Sequence, residues 1–309
     1  MSDEAVIALR FLQYGAAAIL MGSPLFLLYA LPRTGPAAAA GLRWPKPLFA
    51  VAAIILLLAT AAGLLFQTAG MAGSLAEAVK PESISAVLGM NLGASALVRA
   101  PLALLALVIV LITRRGRGLW LGIAALGTAV MASFTWMGHG AATDGAAGWV
   151  HLIADVLHSW TAAVWIGALV SFVLLLYSSR RDLERLNALH RALHRFSAIG
   201  TLLVGVLVAT GLINSWFLVG LDHVAGLWTT DYGRLLLLKI VLFTGMLGLA
   251  AANRFRHTPA LGANLGGEHA GGVTLAQLRR SVVTEALLGF GVLALVAWFG
   301  TLAPPASVM

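Results

Sequence analysis

Cysteine is absent from the 309 residues, and charge is scarce: Asp, Glu, Lys and Arg together make up 10% of the chain. Without cysteine there is no disulfide framework, no thiolate zinc site and no iron–sulfur cluster. A membrane metal pump that passes its ion between paired cysteines is excluded for the same reason. Soluble domains average about 45–50% apolar and about 25% charged residues. Here 60% are apolar and the mean hydropathy is +0.92. That balance excludes a soluble enzyme, a disordered chain and a fibrous protein. No Walker glycine loop and no serine nucleophile elbow occur in the sequence, so neither ATP chemistry nor serine hydrolysis is expected, and no enzymatic activity is read.

What the chain has instead is long apolar runs. A membrane-crossing helix needs roughly 20 mostly apolar residues. Eight stretches qualify, at about 6–30, 48–68, 90–112, 119–137, 149–177, 197–219, 232–253 and 281–302. The expected fold is therefore all-α and polytopic, with eight transmembrane helices. The chain opens Ser2, Asp3, Glu4 without a basic leader, so the first run reads as a retained span and not a cleaved signal peptide.

Basic residues set the orientation. Arg33, Arg43 and Lys46 follow span 1; Arg114, Arg115 and Arg117 follow span 3; Arg180, Arg181, Arg185, Arg191 and Arg195 follow span 5; Arg254, Arg256, Arg279 and Arg280 follow span 7. The connections after the even spans hold only Lys80 among acidic neighbours. The odd connections are thus expected in the cytoplasm and both termini outside. The net charge of +8 is this positive-inside signal, and no nucleic-acid partner is implied.

The two halves look alike. Arg10, Gln13, Ala17, Ala18 and Gly22 of span 1 correspond, 145 residues on, to Asp155, His158, Ala162, Ala163 and Gly167 of span 5. Four helices per half give both halves the same orientation, which predicts two parallel four-helix repeats, residues 1–138 and 139–309. Arg10 and Asp155 then become a candidate ion pair across the pseudo-two-fold axis.

Candidate chemistry gathers on span 5. At 100° per residue, His151, Asp155 and His158 fall within roughly 60° of one another, with His158 about 10 Å deeper than His151. Ionisable groups in a membrane helix face a cavity or the bundle interior. The stripe reads either as a structural hydrogen-bond cluster or as a metal site in which Asp155 orients a histidine. Met137 and His139, separated by Gly138, close span 4, and His223 precedes span 7. Thioether and imidazole without thiolate form a soft-to-borderline donor set that suits copper better than magnesium or calcium. Met21, Met246 and Asn214 are the soft or polar candidates for the inner half. His190 and His194 have i, i+4 spacing but sit among arginines on an amphipathic stretch, which reads as an interfacial helix on membrane lipid headgroups. Arg99, Lys239 and Glu285 are further charges inside spans; they are candidates for coupling or for bracing, Glu285 with Arg254 or Asn253.

Gly138-His139-Gly140, His151…Asp155…His158…Trp165-Ile166-Gly167, Thr210-Gly211-Leu212-Ile213-Asn214, Tyr232-Gly233-Arg234, Lys239, Asn253-Arg254-Phe255 and Glu285 together resemble the copper resistance protein D family of bacterial inner-membrane proteins. The resemblance is strong from about residue 130 to 305 and weaker over the first half. It implies copper handling at the inner membrane, a small periplasmic copper-binding partner, and copper movement across the membrane, inward. The family's histidines map onto His139, His151 and His158. The alternative in another class is a b-type cytochrome, with haem b held by two axial histidines, acting in electron transfer or metal reduction. A third is an assembly factor that delivers copper to another protein.

Overall fold

The computed structural model describes residues 3–33, 38, 41–136, 145–178, 183–263 and 271–307. Among these, the regular secondary structure is helical throughout. Eight helices are long and apolar enough to cross a membrane: α1 (Asp3–Tyr29), α2 (Pro45–Ala72), α3 (Asn91–Ile112), α4 (Arg117–Thr135), α5 (Gly145–Ser178), α6 (Leu183–Leu218), α7 (Asp231–Ala252) and α8 (Gly271–Phe299). Short helices Leu75–Ala78 and Pro81–Leu88 lie between α2 and α3, and Gly226–Thr229 lies between α6 and α7. After α7 comes a π-helical turn, Asn253–His257, and the helix Thr258–Ala263.

The eight spans are thus present, with two boundary changes. α8 begins at Gly271 rather than near residue 281. α6 begins at Leu183 and runs through to Leu218 as one helix, so the His190–His194 stretch is not a separate interfacial element. No Gly or Pro interrupts residues 183–199, and nothing else breaks the helix there. Its apolar face, Ala188, Leu189, Ala192 and Leu193, is buried in the protein's own core, not turned to headgroups.

Two ends of the bundle are defined by hydrogen bonds. At the arginine-rich end, Lys46 Nζ donates to the Thr113 carbonyl (2.9 Å), and Arg195 Nη1 donates to the Ala30 carbonyl (3.3 Å). At the opposite end, Arg10 Nη1 donates to the carbonyl of Gly300 (2.6 Å).

α1 is the central helix. It packs on α2, α4, α5 and α8, and 67% of its most apolar window is inside the molecule, against 11% for α6 and 6% for α7. Its closest approach is to α5. A Cβ on Gly22 would lie 2.0 Å from the Ala163 carbonyl oxygen, and one on Gly167 would lie 2.4 Å from the Gly22 carbonyl carbon. Ser23 Oγ donates to the Gly167 carbonyl across this crossing, at 2.9 Å. α4 approaches nearly as closely at Gly127, where a Cβ would sit 2.5 Å from the Met21 nitrogen. Small residues that let backbones touch are how membrane helices associate where burying apolar surface gives no driving force.

α1 to α4 close into a ring, each packing on the next and α4 on α1. In the second half α6 packs on α5, α5 on α8 and α8 on α7, but α6 and α7 make at most a marginal contact. The second half is therefore open along the α6–α7 seam.

Gly22→Ala is expected to lower the thermal midpoint of the detergent-solubilised protein, by about 1–3 kcal/mol of overpacking. Gly122→Ala, with nothing within 4 Å of its Cβ position, is expected to leave the midpoint unchanged or raise it. Helix content followed by circular dichroism on heating distinguishes the two.

Candidate functional site

The polar stripe of α5 faces a cavity of about 230 Å³ toward the Arg10–Gly300 end. His151, Asp155 and His158 line it, together with Asn214 of α6 and Tyr232 and Lys239 of α7. The helical spacing read from the sequence thus places all three α5 groups on one wall.

His158 is held in a defined state. Its Nδ1 lies 3.0 Å from Thr210 Oγ1. The Thr210 hydroxyl donates to the Val206 carbonyl one turn back, at 2.6 Å. With that proton committed, Thr210 Oγ1 accepts, and His158 Nδ1 carries the hydrogen. This assignment comes from the hydrogen-bond network. It leaves Nε2 as the ring's lone-pair donor, the arrangement of a metal-binding imidazole whose other nitrogen is fixed by an outer partner. His151 is 1% exposed and stacks on Phe217, with ring centres 4.6 Å apart and planes 7° off parallel. Asp155 Oδ1 accepts from Asn214 Nδ2 at 3.3 Å. The other amide atom, Asn214 Oδ1, is buried with no hydrogen-bond partner. Lys239 lines the same cavity as Asp155, and its Nζ lies 5.7 Å from the Phe299 ring centre.

Other sequence candidates fall differently. Among the described residues no three His, Asp or Glu side chains converge to hold a metal, so His151, Asp155 and His158 form a polar wall rather than a closed three-ligand cage. Met137 and His139 lie outside the described residues. His223 is in the turn after α6 and does not line the cavity; its Nε2 is buried without a hydrogen-bond partner. The Arg10–Asp155 ion pair does not form: both groups line the cavity, but the Arg10 guanidinium is drawn to the Gly300 carbonyl. Asn214, expected deeper, is at the cavity's Asp155 wall, and Met21 is packed in the core of α1.

Arg99 sits in the first half and does not line this cavity. It donates to Gln13 Oε1 (2.6 Å) and Ser133 Oγ (3.2 Å), and its guanidinium carbon lies 3.8 Å from the Phe134 ring centre. Gln13 in turn donates to the Ala59 carbonyl at 2.9 Å. The group ties α1, α2, α3 and α4 together as a brace. Glu285 accepts from Asn253 Nδ2 and from Trp165 Nε1, both at 2.9 Å. Of the two partners expected for it, Asn253 is the one used; Arg254 instead reaches Thr201 and the Ser197 carbonyl on α6.

Two further cavities continue along the open second half. One of about 270 Å³ shares His158 and Lys239 with the first and adds Met246 and Trp165. Another of about 240 Å³, toward the arginine-rich end, shares Trp165 and contains Asn253 and Glu285. Thr210, Phe217 and the Trp165–Glu285 bond gain their roles only in the folded structure. Their signal was present only as short motifs, Thr210-Gly211 and Trp165-Ile166-Gly167, with no spacing that ties them to His158 or Glu285.

Residues 1–149 match a family model described as "Copper resistance protein D-like, N-terminal domain", and residues 190–299 match one described as "Copper resistance protein D". Over 309 residues, 98% of both chains, the sequence is 36% identical to Copper resistance protein D of Pseudomonas syringae pv. tomato. The chain belongs to the copper resistance protein D family. Copper transport protein CutJ of Bacillus subtilis is 33% identical over 154 residues, 48% of this chain and 27% of that protein. Inner membrane protein YebZ of Escherichia coli is 29% identical over 257 residues, 82% of this chain and 85% of that one. No solved structure matches the chain. Eight apolar helices and this family make it a multi-pass membrane protein with a copper-related role, and α7 and all of α6 from residue 190, which complete the cavity wall, lie in the segment that matches the family's own model.

In this family member, Thr210→Val would remove the acceptor of His158 Nδ1–H while keeping side-chain volume. If His158 is a copper ligand, copper affinity by competition with a chromophoric chelator is expected to fall about 10–100-fold, the usual loss when a ligand histidine loses its outer partner. An unchanged affinity would show that Thr210 does not orient the ring.

Proposed function

We propose that the protein is a carrier, not an enzyme, and that it moves copper inward across the bacterial inner membrane. The observation that carries this reading is His158: a histidine inside a membrane helix, with Nδ1–H bonded to Thr210 and Nε2 left as a lone-pair donor, in a wall shared by two successive cavities. An imidazole so held binds a soft-to-borderline cation such as copper. Copper enters from outside through His151 and descends to His158; Met137, His139 and His223 are further candidate ligands on the sequence alone. Met246 supplies a thioether in the next cavity. Asp155 offsets the cation's charge, and Lys239 repels a second cation from the same space. Release is promoted where ligands gain protons, because bound metal requires neutral imidazole.

The arginine-rich end is placed in the cytoplasm, with both termini outside, by the positive-inside rule. The two halves are parallel repeats. Gly22 and Gly167, which the repeat equates, pack against each other, as residues on a pseudo-two-fold axis must. A small periplasmic copper-binding protein delivers the ion to the outer mouth. A haem role gains no support: the two histidines that line the cavities, His151 and His158, both come from α5, so among the described residues these cavities hold no axial pair on facing helices.

Protein gently extracted from copper-supplied membranes is expected to hold about one copper per chain, measured by elemental analysis, with copper lost in His158→Ala. Reconstituted into vesicles, the wild type is expected to admit copper and the variant to be slow by about tenfold or more. Iron in place of copper, or copper retained by His158→Ala, would overturn the assignment.

A further inference from the structure

The cavity of about 240 Å³ toward the arginine-rich end lies in the seam between α6 and α7, where the two helices scarcely touch. Its back wall is apolar, with Leu169 and Phe172 of α5 and Val282 of α8. Small residues hold the seam open on both sides: Gly200 on α6, Ala250 and Ala251 on α7. A Cβ on Gly200 would meet only the Phe196 ring, at 3.8 Å. The carboxylate at the inner end, Glu285, is 2% exposed, and its oxygens accept from Trp165 and Asn253. At the mouth the chemistry changes. Arg254 is exposed, and its Nη1 reaches across the seam to Thr201 Oγ1 and the Ser197 carbonyl of α6. Its guanidinium carbon lies 5.2 Å from the ring centre of Phe255, which is 71% exposed. Arg256, in the same π-helical turn, is exposed as well. The turn directly follows α7, so these groups stand where a span meets the headgroups.

We propose that this slot binds one anionic phospholipid, with an acyl chain between α6 and α7 and its phosphate on Arg254. The two parts of the slot select the two parts of the ligand. Its walls offer a hydrocarbon chain apolar surface and, having no histidine or methionine, offer a soft metal nothing. Its mouth offers a guanidinium, whose planar fork of five N–H donors matches a phosphate and is not exhausted by two bonds from one nitrogen. A neutral lipid would leave that charge unmatched, and a free anion would leave the slot unfilled. Basic pockets between membrane helices take anionic headgroups for this reason. The way in is lateral: the most apolar windows of α6 and α7 are only 11% and 6% buried within the protein, so a chain enters from the bilayer without crossing water. A phosphate on Arg254 competes with Thr201 and Ser197 for its N–H groups. The lipid therefore replaces a strap across the seam and supplies the contact that α6 and α7 do not make with each other. This site is separate from the copper reading and does not rest on it.

The test uses the full chain in nanodiscs of equal parts phosphatidylglycerol and phosphatidylcholine, released into mild detergent and weighed by native mass spectrometry. The wild type is expected to retain one phospholipid per chain, with phosphatidylglycerol favoured about fivefold, the worth of one arginine at a headgroup. Arg254→Gln is expected to abolish the preference, and Gly200→Phe, which fills the slot, to abolish retention. Arg115→Gln, at an exposed arginine of the α3–α4 connection that does not line the cavity, is expected to change neither. Equal retention of the two lipids by the wild type would overturn the site, as would a preference that survives Arg254→Gln or a lipid that survives Gly200→Phe. Displacement of the lipid by excess inorganic phosphate, or a neutral isoprenoid or second copy of the chain found in its place, would overturn it equally.

Discussion

The crossing of α1 and α5 at Gly22 and Gly167 is the constraint on which the other helices depend. Two backbones meet there with no room for a Cβ on either side. In hydrocarbon such an approach is driven by dispersion and by the interhelical Ser23–Gly167 hydrogen bond, because lipid is as apolar as a leucine side chain. Once α5 is fixed against the central helix, its rotation is fixed too. The face bearing His151, Asp155 and His158 must then turn toward α6 and α7, where the sequence supplies Thr210, Asn214 and Lys239. α4, pressed on α1 at Gly127, completes the first ring, and the second half is assembled on what remains of α1 and α5.

Polar groups inside the bundle divide into two kinds by how completely they are satisfied. Arg99 is bonded by Gln13 and Ser133 and lies over Phe134, and Gln13 is bonded onward to Ala59. That network ties four helices together, as suits a brace, and its Phe134 reaches the wall of the first cavity. Asn214 and Asn253 each spend the amide donor on a carboxylate and leave the carbonyl oxygen without a partner. Both line cavities. In lipid such an unpaired polar atom is costly. His151, His158 and Met131 line one cavity, His158 and Met246 the next, and neither histidine nor methionine lines the third.

Much of the architecture was legible in composition and periodicity, because a helix that must satisfy its own backbone in lipid announces itself as a long apolar run. The α5 stripe was equally legible, since 3.6-residue spacing fixes which side chains share a face. What failed to show were relations between helices. Arg10 and Asp155 share a cavity, yet a backbone carbonyl at Gly300, invisible in a side-chain sequence, captures the guanidinium. The amphipathic pattern around His190 was read as lipid-facing because periodicity gives the apolar face without saying what covers it; the protein's own core covers it. Thr210 is one threonine among many until the fold sets it beside His158. Glu285 was placed correctly beside Asn253 by depth, but its second partner, Trp165, lies 120 residues away in the chain and no local signal connects them.

The open seam between α6 and α7 gives the molecule an uneven stiffness. Five of the eight helices are tied into the α1-centred assembly by crossings in which backbones or buried brace groups interlock. α6 and α7 are each held along one flank, and scarcely touch one another. A change of shape that moved α1 against α5 would have to break the tightest packing in the protein, whereas a swing of α6 or α7 trades protein surface for lipid at little cost. The loosely packed wall is therefore the one that carries Thr210 and Lys239, and the tightly packed wall is the one that carries His158. Motion in this fold would alter the partners of the histidine while the histidine itself stays in place.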